Sequence, residues 1–321
     1  MYCLILIEKP LKIKNTLLLL LVFSFSCASV FSQQGKVDPT FNTYDDGLLG
    51  DGFDNTVRTL SVQDDGKLIV GGDFLNFNGV ATPYLCRLLP DGSKDASFFL
   101  GTGFNNKVYT SLLQPDGKIL VAGSFTQFNG TAVGRLVRLN PDGSRDSSFT
   151  ASPGATNSII YDMALQSDGS IFLVGSFTNF NGTTANRIVK ILPSGAVDTS
   201  FVVGSGASGL IEKIALQSDG KIIIGGGFTS FNGSSVGKIA RLNTDGTLDT
   251  SFITGVGLDD NVSAIGVQAD GKIILGGSFT TYNGNVANKI VRVNTDGTLD
   301  ASFASGTGFN SGAVETIKMN S

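Results

Sequence analysis

Residues 270–279 of this chain read DGKIILGGSF, and residues 292–300 read RVNTDGTLD. Close variants of both stretches occur five times, and the second always follows the first at the same interval. Their turn glycines recur in steps of 51 or 52 residues, the first at Gly66, Gly117, Gly169, Gly220 and Gly271, and the second at Gly92, Gly143, Gly195, Gly246 and Gly297. Two landmarks that move together indicate duplicated units, each too small to bury its apolar face without a neighbour.

The fifth copy shows what one unit is expected to form. Asp270-Gly271 predicts a tight turn, because aspartate bonds its own backbone and glycine accepts a positive φ. The apolar run that follows this turn is typical of a strand buried on both faces, and Tyr282-Asn283-Gly284 predicts a second turn after it. Four strands are predicted in the unit, at residues 262–268, 272–279, 289–294 and 298–303. No stretch of the unit has a sustained helical period.

Three further positions recur in every copy and are expected to serve the fold. A glycine inside the second strand predicts a bulge or a close backbone approach. The glycines are Gly72, Gly123, Gly175, Gly226 and Gly277. Each is followed by a phenylalanine two residues later, at Phe74, Phe125, Phe177, Phe228 and Phe279, and by an aromatic residue in the next loop, at Phe77, Phe128, Phe180, Phe231 and Tyr282.

Four short antiparallel strands make a sheet that is marginal by itself. Units packed face to face around an axis bury both faces of every sheet, so the sequence predicts an all-β fold, a β-propeller of four-stranded blades of about 51 residues. An open stacked solenoid is the structural alternative. The propeller domain is expected to span residues 33–321, with units at 53–103, 104–154, 155–206, 207–257 and 258–308 and partial strands at 37–41 and 313–321. The ring is expected to hold five or six units and need not be complete.

Residues 1–32 differ from the repeats. Three lysines precede the apolar stretch 17–25, which is followed by small residues, and this order predicts a secretory signal peptide. The stretch is short for a membrane span, so no transmembrane segment is expected after its removal. The alternative is a lipoprotein anchored through Cys27, although Ser24-Phe25-Ser26 makes a poor lipidation box. We therefore expect a secreted, cell-surface or periplasmic protein.

Charge and residue types exclude several classes of function. The chain carries a net charge of −4, and loss of residues 1–32 makes it more acidic, so nucleic acid is not an expected partner. Without histidine, Ser-His-Asp triads, Cys-His pairs and histidine zinc sites are excluded. Cys86 alone would remain after signal removal, which leaves no internal disulfide. No phosphate-binding loop or other cofactor motif is present.

The repeated motif resembles the delta-60 repeat of bacterial exported proteins. The fourth copy carries it almost unbroken, in Gln217, Asp219-Gly220-Lys221, Gly226-Gly227-Phe228, Arg241-Leu242-Asn243 and Asp249-Thr250-Ser251-Phe252. The period and the Gly-Gly strand are also similar to kelch blades, but a chain without tryptophan lacks the late aromatic pair of kelch. The resemblance covers residues 37–321 and implies an exported bacterial propeller, without an agreed activity. Many members end in a sorting domain that this sequence lacks, so we expect a fragment of a longer protein.

Paired aspartates recur at the second turn of four copies. They are Asp91/Asp95, Asp142/Asp146, Asp245/Asp249 and Asp296/Asp300. Clustered carboxylates are the ligands that calcium prefers. The alternative is that the first aspartate stabilises the turn and the second pairs with a cation on the third strand, as is common between neighbouring strands. The third copy, with Ser194 before Asp198, favours this alternative, and no metal site is predicted.

A binding site should use positions at which the copies differ, because the fold needs its shared residues once per blade. One such position follows the first apolar residue of each innermost strand, at Arg58, Tyr109, Tyr161, Glu212, Ser263 and Glu315. In a propeller this strand lies along the central channel, and we predict that these side chains line its mouth and bind a polar ligand such as a glycan. Packing between blades is the alternative explanation.

No catalytic residue is predicted. A pair of carboxylates for glycoside hydrolysis would have to come from Glu212 and Glu315, the only glutamates outside residues 1–32, which occupy equivalent positions of different copies. The sequence therefore favours an exported, non-enzymatic binding or scaffold module, at the cell surface or within a larger secreted bacterial protein, with a glycan or a surface protein as its partner. The alternative is a carbohydrate-active hydrolase or lyase.

Overall fold

The structure, a computed structural model, describes residues 4–7, 41–42 and 51–319. The predicted signal peptide, with Cys27, and the predicted strand 37–41 lie outside this part, apart from residues 4–7 and Phe41. All regular structure in the described residues is β-strand and turn. The described residues contain no helix of the length and apolar character that a bilayer span requires.

Each repeat forms one blade, and its strands carry the same order in all five. The first strands are β2 (Val57–Val62), β7 (Val108–Leu113), β12 (Ile160–Leu165), β17 (Ile211–Leu216) and β22 (Val262–Val267). The second strands are β3 (Leu68–Gly72), β8 (Ile119–Gly123), β13 (Ile171–Gly175), β18 (Ile222–Gly226) and β23 (Ile273–Gly277). The third strands are β6 (Leu85–Leu88), β11 (Leu136–Leu139), β16 (Ile188–Ile191), β21 (Ile239–Leu242) and β26 (Ile290–Val293).

A short hairpin, made of two strands of two residues each, connects the second and third strands of every blade. The hairpin strands are β4 (Asn76–Phe77) with β5 (Val80–Ala81), β9 (Gln127–Phe128) with β10 (Thr131–Ala132), β14 (Asn179–Phe180) with β15 (Thr183–Thr184), β19 (Ser230–Phe231) with β20 (Ser234–Ser235), and β24 (Thr281–Tyr282) with β25 (Asn285–Val286). Outside the blades, β1 (Leu4–Ile7) pairs in parallel with β27 (Thr316–Met319).

In each blade the second strand lies between the first and the third, and both pairings are antiparallel, as between β22, β23 and β26. This confirms the predicted all-β propeller of five blades. The fourth strand is shorter than predicted. In each blade it forms a single β-bridge to the third strand, such as the one between Leu299 and Val293. The Asp300 carboxylate accepts hydrogen bonds from the amide and hydroxyl of Ser302, so the chain turns where a ladder would continue.

The recurrent glycine of the second strand sits opposite a bulge in the first. In β2 the register shifts between Val57, which faces Gly72, and Thr59, which faces Gly71, so Arg58 is the extra residue of the bulge. A Cβ at Gly72 would come 2.1 Å from the Thr56 carbonyl oxygen. The same bulge recurs in all five blades, which confirms the close backbone approach expected from this glycine.

Four of the hydrophobic cores lie between neighbouring blades. The core of the fourth blade, for example, combines Ile211 and Ile214 with Phe172 and Val174 of the third. The second, third and fifth blades share residues with their preceding blades in the same way. The five phenylalanines of the Phe74 position are fully buried. A propeller arrangement explains this, because each sheet hides its faces against its neighbours.

Candidate functional site

One cavity collects the six variable positions singled out in the sequence. Its volume is about 470 Å³, and residues of every blade line it, so it lies on the axis of the ring, at the end where the first strands begin. The lining includes the whole predicted set, Arg58, Tyr109, Tyr161, Glu212, Ser263 and Glu315. In the five complete blades the variable residue is the extra residue of the bulge, and a bulge re-aims its side chain.

Arg58 is anchored at one side of the cavity. Its Nε lies 2.5 Å and its Nη2 2.8 Å from the two carboxylate oxygens of Asp73, and Lys107 Nζ donates to the same carboxylate at 2.8 Å. Burial alone would raise the pKa of Asp73, but the hydrogen bonds from Arg58 and Lys107 outweigh it and lower the pKa. Arg58 and Lys107 therefore share the Asp73 carboxylate as a common ion-pair partner.

Two tyrosines continue the cavity wall from Arg58. The Arg58 guanidinium lies 4.6 Å from the centre of the Tyr109 ring, a cation–π contact. The ring centroids of Tyr109 and Tyr161 are 5.2 Å apart, in an edge-to-face arrangement. Burial raises the pKa of Tyr161. Part of each side chain therefore packs between blades, while the same residues present aromatic and hydroxyl surface to the cavity.

Glu212 forms the acidic side. Asn261 Nδ2 donates to its Oε1 at 3.2 Å, and Ser263 Oγ donates to its Oε2 at 3.3 Å, so the fifth blade positions a carboxylate of the fourth. Burial raises the pKa of Glu212, the bond from Ser263 lowers it, and the nearby charge of Glu315 raises it further; the net shift is upward. The cavity thus holds a half-buried carboxyl group opposite an arginine.

The paired aspartates of the second turns are elsewhere and already have protein partners. The first aspartate of each pair accepts the amide two residues later, as Asp245 does from Thr247 at 2.9 Å. The second pairs with the third-strand cation, as Asp249 does with Arg241 at 2.7 Å, and Asp198 with Lys190 at 3.1 Å in the third copy. This arrangement confirms the structural interpretation of the motif. The described residues contain no group of carboxylates placed to hold a metal ion.

We call the six variable positions of the cavity the variable ring. Sequence reasoning missed Asp73 and Lys107, the two groups that hold the Arg58 side of this ring in place. Asp73 occupies a place at which the other copies have serine or glycine, and Lys107 precedes a first strand at a place filled elsewhere by uncharged residues. Both differ between copies, so the criterion that found Arg58 could have found them. Lys213, beside Glu212 in β17, also lines the cavity.

The repeats match a known family. A family model described as "Domain of unknown function (DUF5122) beta-propeller" matches the chain five times, at residues 63–98, 114–149, 166–201, 217–252 and 268–303. The chain belongs to the DUF5122 β-propeller family. Each match begins at the end of a first strand and stops at the phenylalanine that closes the unit, so the family motif covers the frame of a blade and omits the bulge that carries the variable ring.

Other comparisons add resemblances of fold only. No curated protein sequence matches this DUF5122 chain. A protein of unknown function from Bacteroides caccae is 15% identical over 76% of this chain and 79% of its own, with a TM-score of 0.44. Virginiamycin B lyase from Staphylococcus aureus is 17% identical over 78% of this chain and 71% of its own, with a TM-score of 0.48. At such values these resemblances carry no argument about activity.

Proposed function

We propose that this protein is an exported binding module whose axial cavity holds a polar ligand of the glycan type. The observation that carries the proposal is the convergence of six variable side chains in a single cavity. The frame of the repeat does not require these residues, since their identity varies between copies. The finer assignment to the delta-60 type of repeat, on the motif of the fourth copy, belongs to the same proposal, as does secretion directed by residues 1–32.

The chemistry of the wall favours a sugar. Tyr109 and Tyr161 offer ring faces and edges against which the apolar side of a pyranose can pack. Arg58 supplies hydrogen-bond donors, and Glu212, Asn261 and Ser263 supply acceptors and donors at the opposite side. Small-molecule sites combine hydrophobic and aromatic walls with a small number of polar groups that fix the orientation of the ligand, and this cavity offers both kinds of surface.

The test is a glycan array probed with the full chain, followed by the triple variant Arg58→Ala/Tyr109→Ala/Glu212→Ala. We expect the variant to lose binding to the glycans that the wild type binds, while its melting temperature stays the same as that of the wild type. A matched control is Gln127→Ala/Thr131→Ala/Val286→Ala, which changes exposed residues of the outer hairpins. Unchanged binding by the cavity variant would dismiss the axial site.

A carbohydrate-active enzyme is the second candidate, and one observation favours it. Glu212 and Glu315 line the same cavity, and the charge of Glu315 contributes to the raised pKa of Glu212. Acid–base cleavage of a glycosidic bond requires two carboxyl groups at one site, and a raised pKa suits the general acid of such a pair. Incubation of each bound glycan with the protein separates the candidates, because an enzyme releases product and Glu212→Gln abolishes that release, whereas a binding module returns the glycan intact.

A further inference from the structure

One position of the ring lacks a complete blade. The first blade exposes 40% of Val57, 56% of Leu60 and 60% of Val62. Their counterparts in the fourth blade are Ile211, which is fully buried, Ile214, which is 7% exposed, and Leu216, which is half-buried. Among the described residues, the core around Val70 and Phe74 draws on the first blade alone. The face that each of the other four blades packs against its predecessor is therefore largely exposed in the first.

The fifth blade shows the matching vacancy on the other side. In three blades the Nη1 of the third-strand arginine donates to a carbonyl of the following blade, from Arg87 to Pro141, from Arg138 to Pro193 and from Arg241 to Thr295. Arg292 instead reaches Gln268 of its own blade, at 3.5 Å, and its side chain is 20% exposed, against 6–9% for the other three. The carbonyl that it would meet belongs to a turn of the next blade.

Two short pieces of this blade are nevertheless in place. Val314 packs against Gly276 as Val262 packs against Gly225, so β27 occupies the first-strand position of a sixth blade. The amide of Asn42 donates to the Asp91 carbonyl. In each of the first four repeats, the amide of the residue after the closing phenylalanine donates in the same way to a carbonyl in the second turn of the following blade, as Phe99 does to Asp142. Within the described residues, the position thus has its inner strand and its closing end, but no second or third strand like those of the complete blades.

We propose that this open position is a docking site for a DUF5122 repeat unit presented by a partner polypeptide. The continuity of the interface specifies the chemistry of the occupant. It must offer an apolar second strand with a small residue where Gly71 and Gly225 meet the valine of the next blade, so that Val57 and Leu60 become buried. It must also offer a turn carbonyl at the place of Thr295, which Arg292 would bind.

The segment 217–252 of this chain meets both requirements and serves as the probe. It contains Gly225, and its Thr244 stands at the place of Thr295. In each complete blade the second strand runs antiparallel to the first, so the probe should pair antiparallel with β27. In the structure β27 pairs instead with Leu4–Ile7, in parallel, and the probe would have to coexist with this pairing or replace it.

The experiment is a fluorescence-anisotropy titration of a labelled 217–252 peptide with the full chain, and with Ile5→Pro, which removes a backbone donor from β1. We expect saturable one-to-one binding and a raised melting temperature. Leu60→Lys, at a site that is exposed without the peptide, should weaken binding by about tenfold or more, because docking would bury an unpaired charge. Arg292→Lys should weaken it to a smaller extent.

Val286→Lys on an outer hairpin, where the residue is 77% exposed, is the matched control and should bind as the wild type does, and a scrambled peptide should not bind. The proposal is overturned when neither the wild type nor Ile5→Pro binds the peptide, or when Leu60→Lys binds as tightly as Val286→Lys. It is also overturned when the chain self-associates through this face without peptide, since the occupant would then be a second copy.

Discussion

At the bulge of each first strand, one residue lies outside the regular register of the sheet, so the sheet does not constrain its type. Arg58 and Glu212 occupy equivalent places, yet one is held by an ion pair and the other by two neutral donors. The bulge places this residue outside the regular register of the two strands, so its chemistry can change without loss of the ladder. This is the physical reason that variation and cavity coincide in this protein.

Glu212 gives a prediction about pH. Burial raises its pKa in the folded protein above the usual glutamate value. The folded state therefore favours the protonated form, and this contribution to stability is complete below the ordinary pKa of about 4.3 and is lost as the pH rises through the raised value. Glu212→Gln should gain stability relative to wild type between about pH 4 and pH 8.

Urea unfolding of both proteins across this range measures the effect. Glu315→Gln, which removes only the smaller electrostatic contribution, should keep most of the pH dependence of the wild type. A stability difference between wild type and Glu212→Gln that stays constant with pH would show that the carboxyl group is not held in a shifted state.

At the scale of the element, the third strand joins each blade to the next. Its arginine is bonded within the blade to an aspartate and a serine, as Arg241 is to Asp249 and Ser251, and it reaches across to a backbone carbonyl. In the third blade a lysine keeps the ion pair with Asp198. Arginine can donate to the aspartate of its own blade and to the carbonyl of the following blade at once, because its donors are fixed in a planar fork.

This geometry predicts unequal costs for the same substitution. Arg241→Lys keeps the charge but loses the carbonyl of the following blade, and it should lower the free energy of unfolding by about 1–3 kcal/mol, the usual range for a hydrogen bond from a charged donor. Arg292→Lys should cost less, because within the described residues Arg292 donates to Asp300, Gln268 and Ser302 of its own blade. Chemical denaturation of the two variants measures both costs, and equal losses would argue against the cross-blade bond.

At the scale of the whole molecule, stability is distributed over shared cores and repeated ion pairs. Four of the five cores draw on two blades, so one blade cannot open without exposing its neighbour. Each blade also carries the same aspartate next to a cation; it is buried in four blades and half-buried in the third, where it is Asp198. Burial alone would raise the pKa of Asp95, Asp146 and Asp249, but hydrogen bonds from a serine and an arginine, joined by a lysine at Asp146 and Asp249, outweigh it and lower the pKa of each.

The repeated carboxylates predict a loss of stability in acid. A lowered folded pKa means that the contribution is present above the ordinary aspartate value of about 3.9 and is lost as the pH falls through the folded values. We expect the denaturation midpoint to drop steeply below about pH 4. Circular dichroism at stepped pH measures it. Asp249→Asn should be less stable at neutral pH and lose less on acidification, and a wild-type midpoint that is flat down to pH 2 would contradict the prediction.

The sequence by itself determined the blade: its strands, its turns, the glycine at the bulge and the pairing of third-strand cations with aspartates all follow from local spacing and residue type. It also indicated the variable ring, because repetition separates what a blade needs from what it does not. The short fourth strand was missed, since the hydrogen bonds from Ser302 to Asp300 compete with a ladder that apolar spacing alone suggests. Only the tertiary structure decided that Asp73 and Lys107 hold Arg58, and that the first blade presents Leu60 uncovered. These features depend on which blade stands next to which, and the distance between residues of different blades is set by the closure of the ring and not by their separation along the chain.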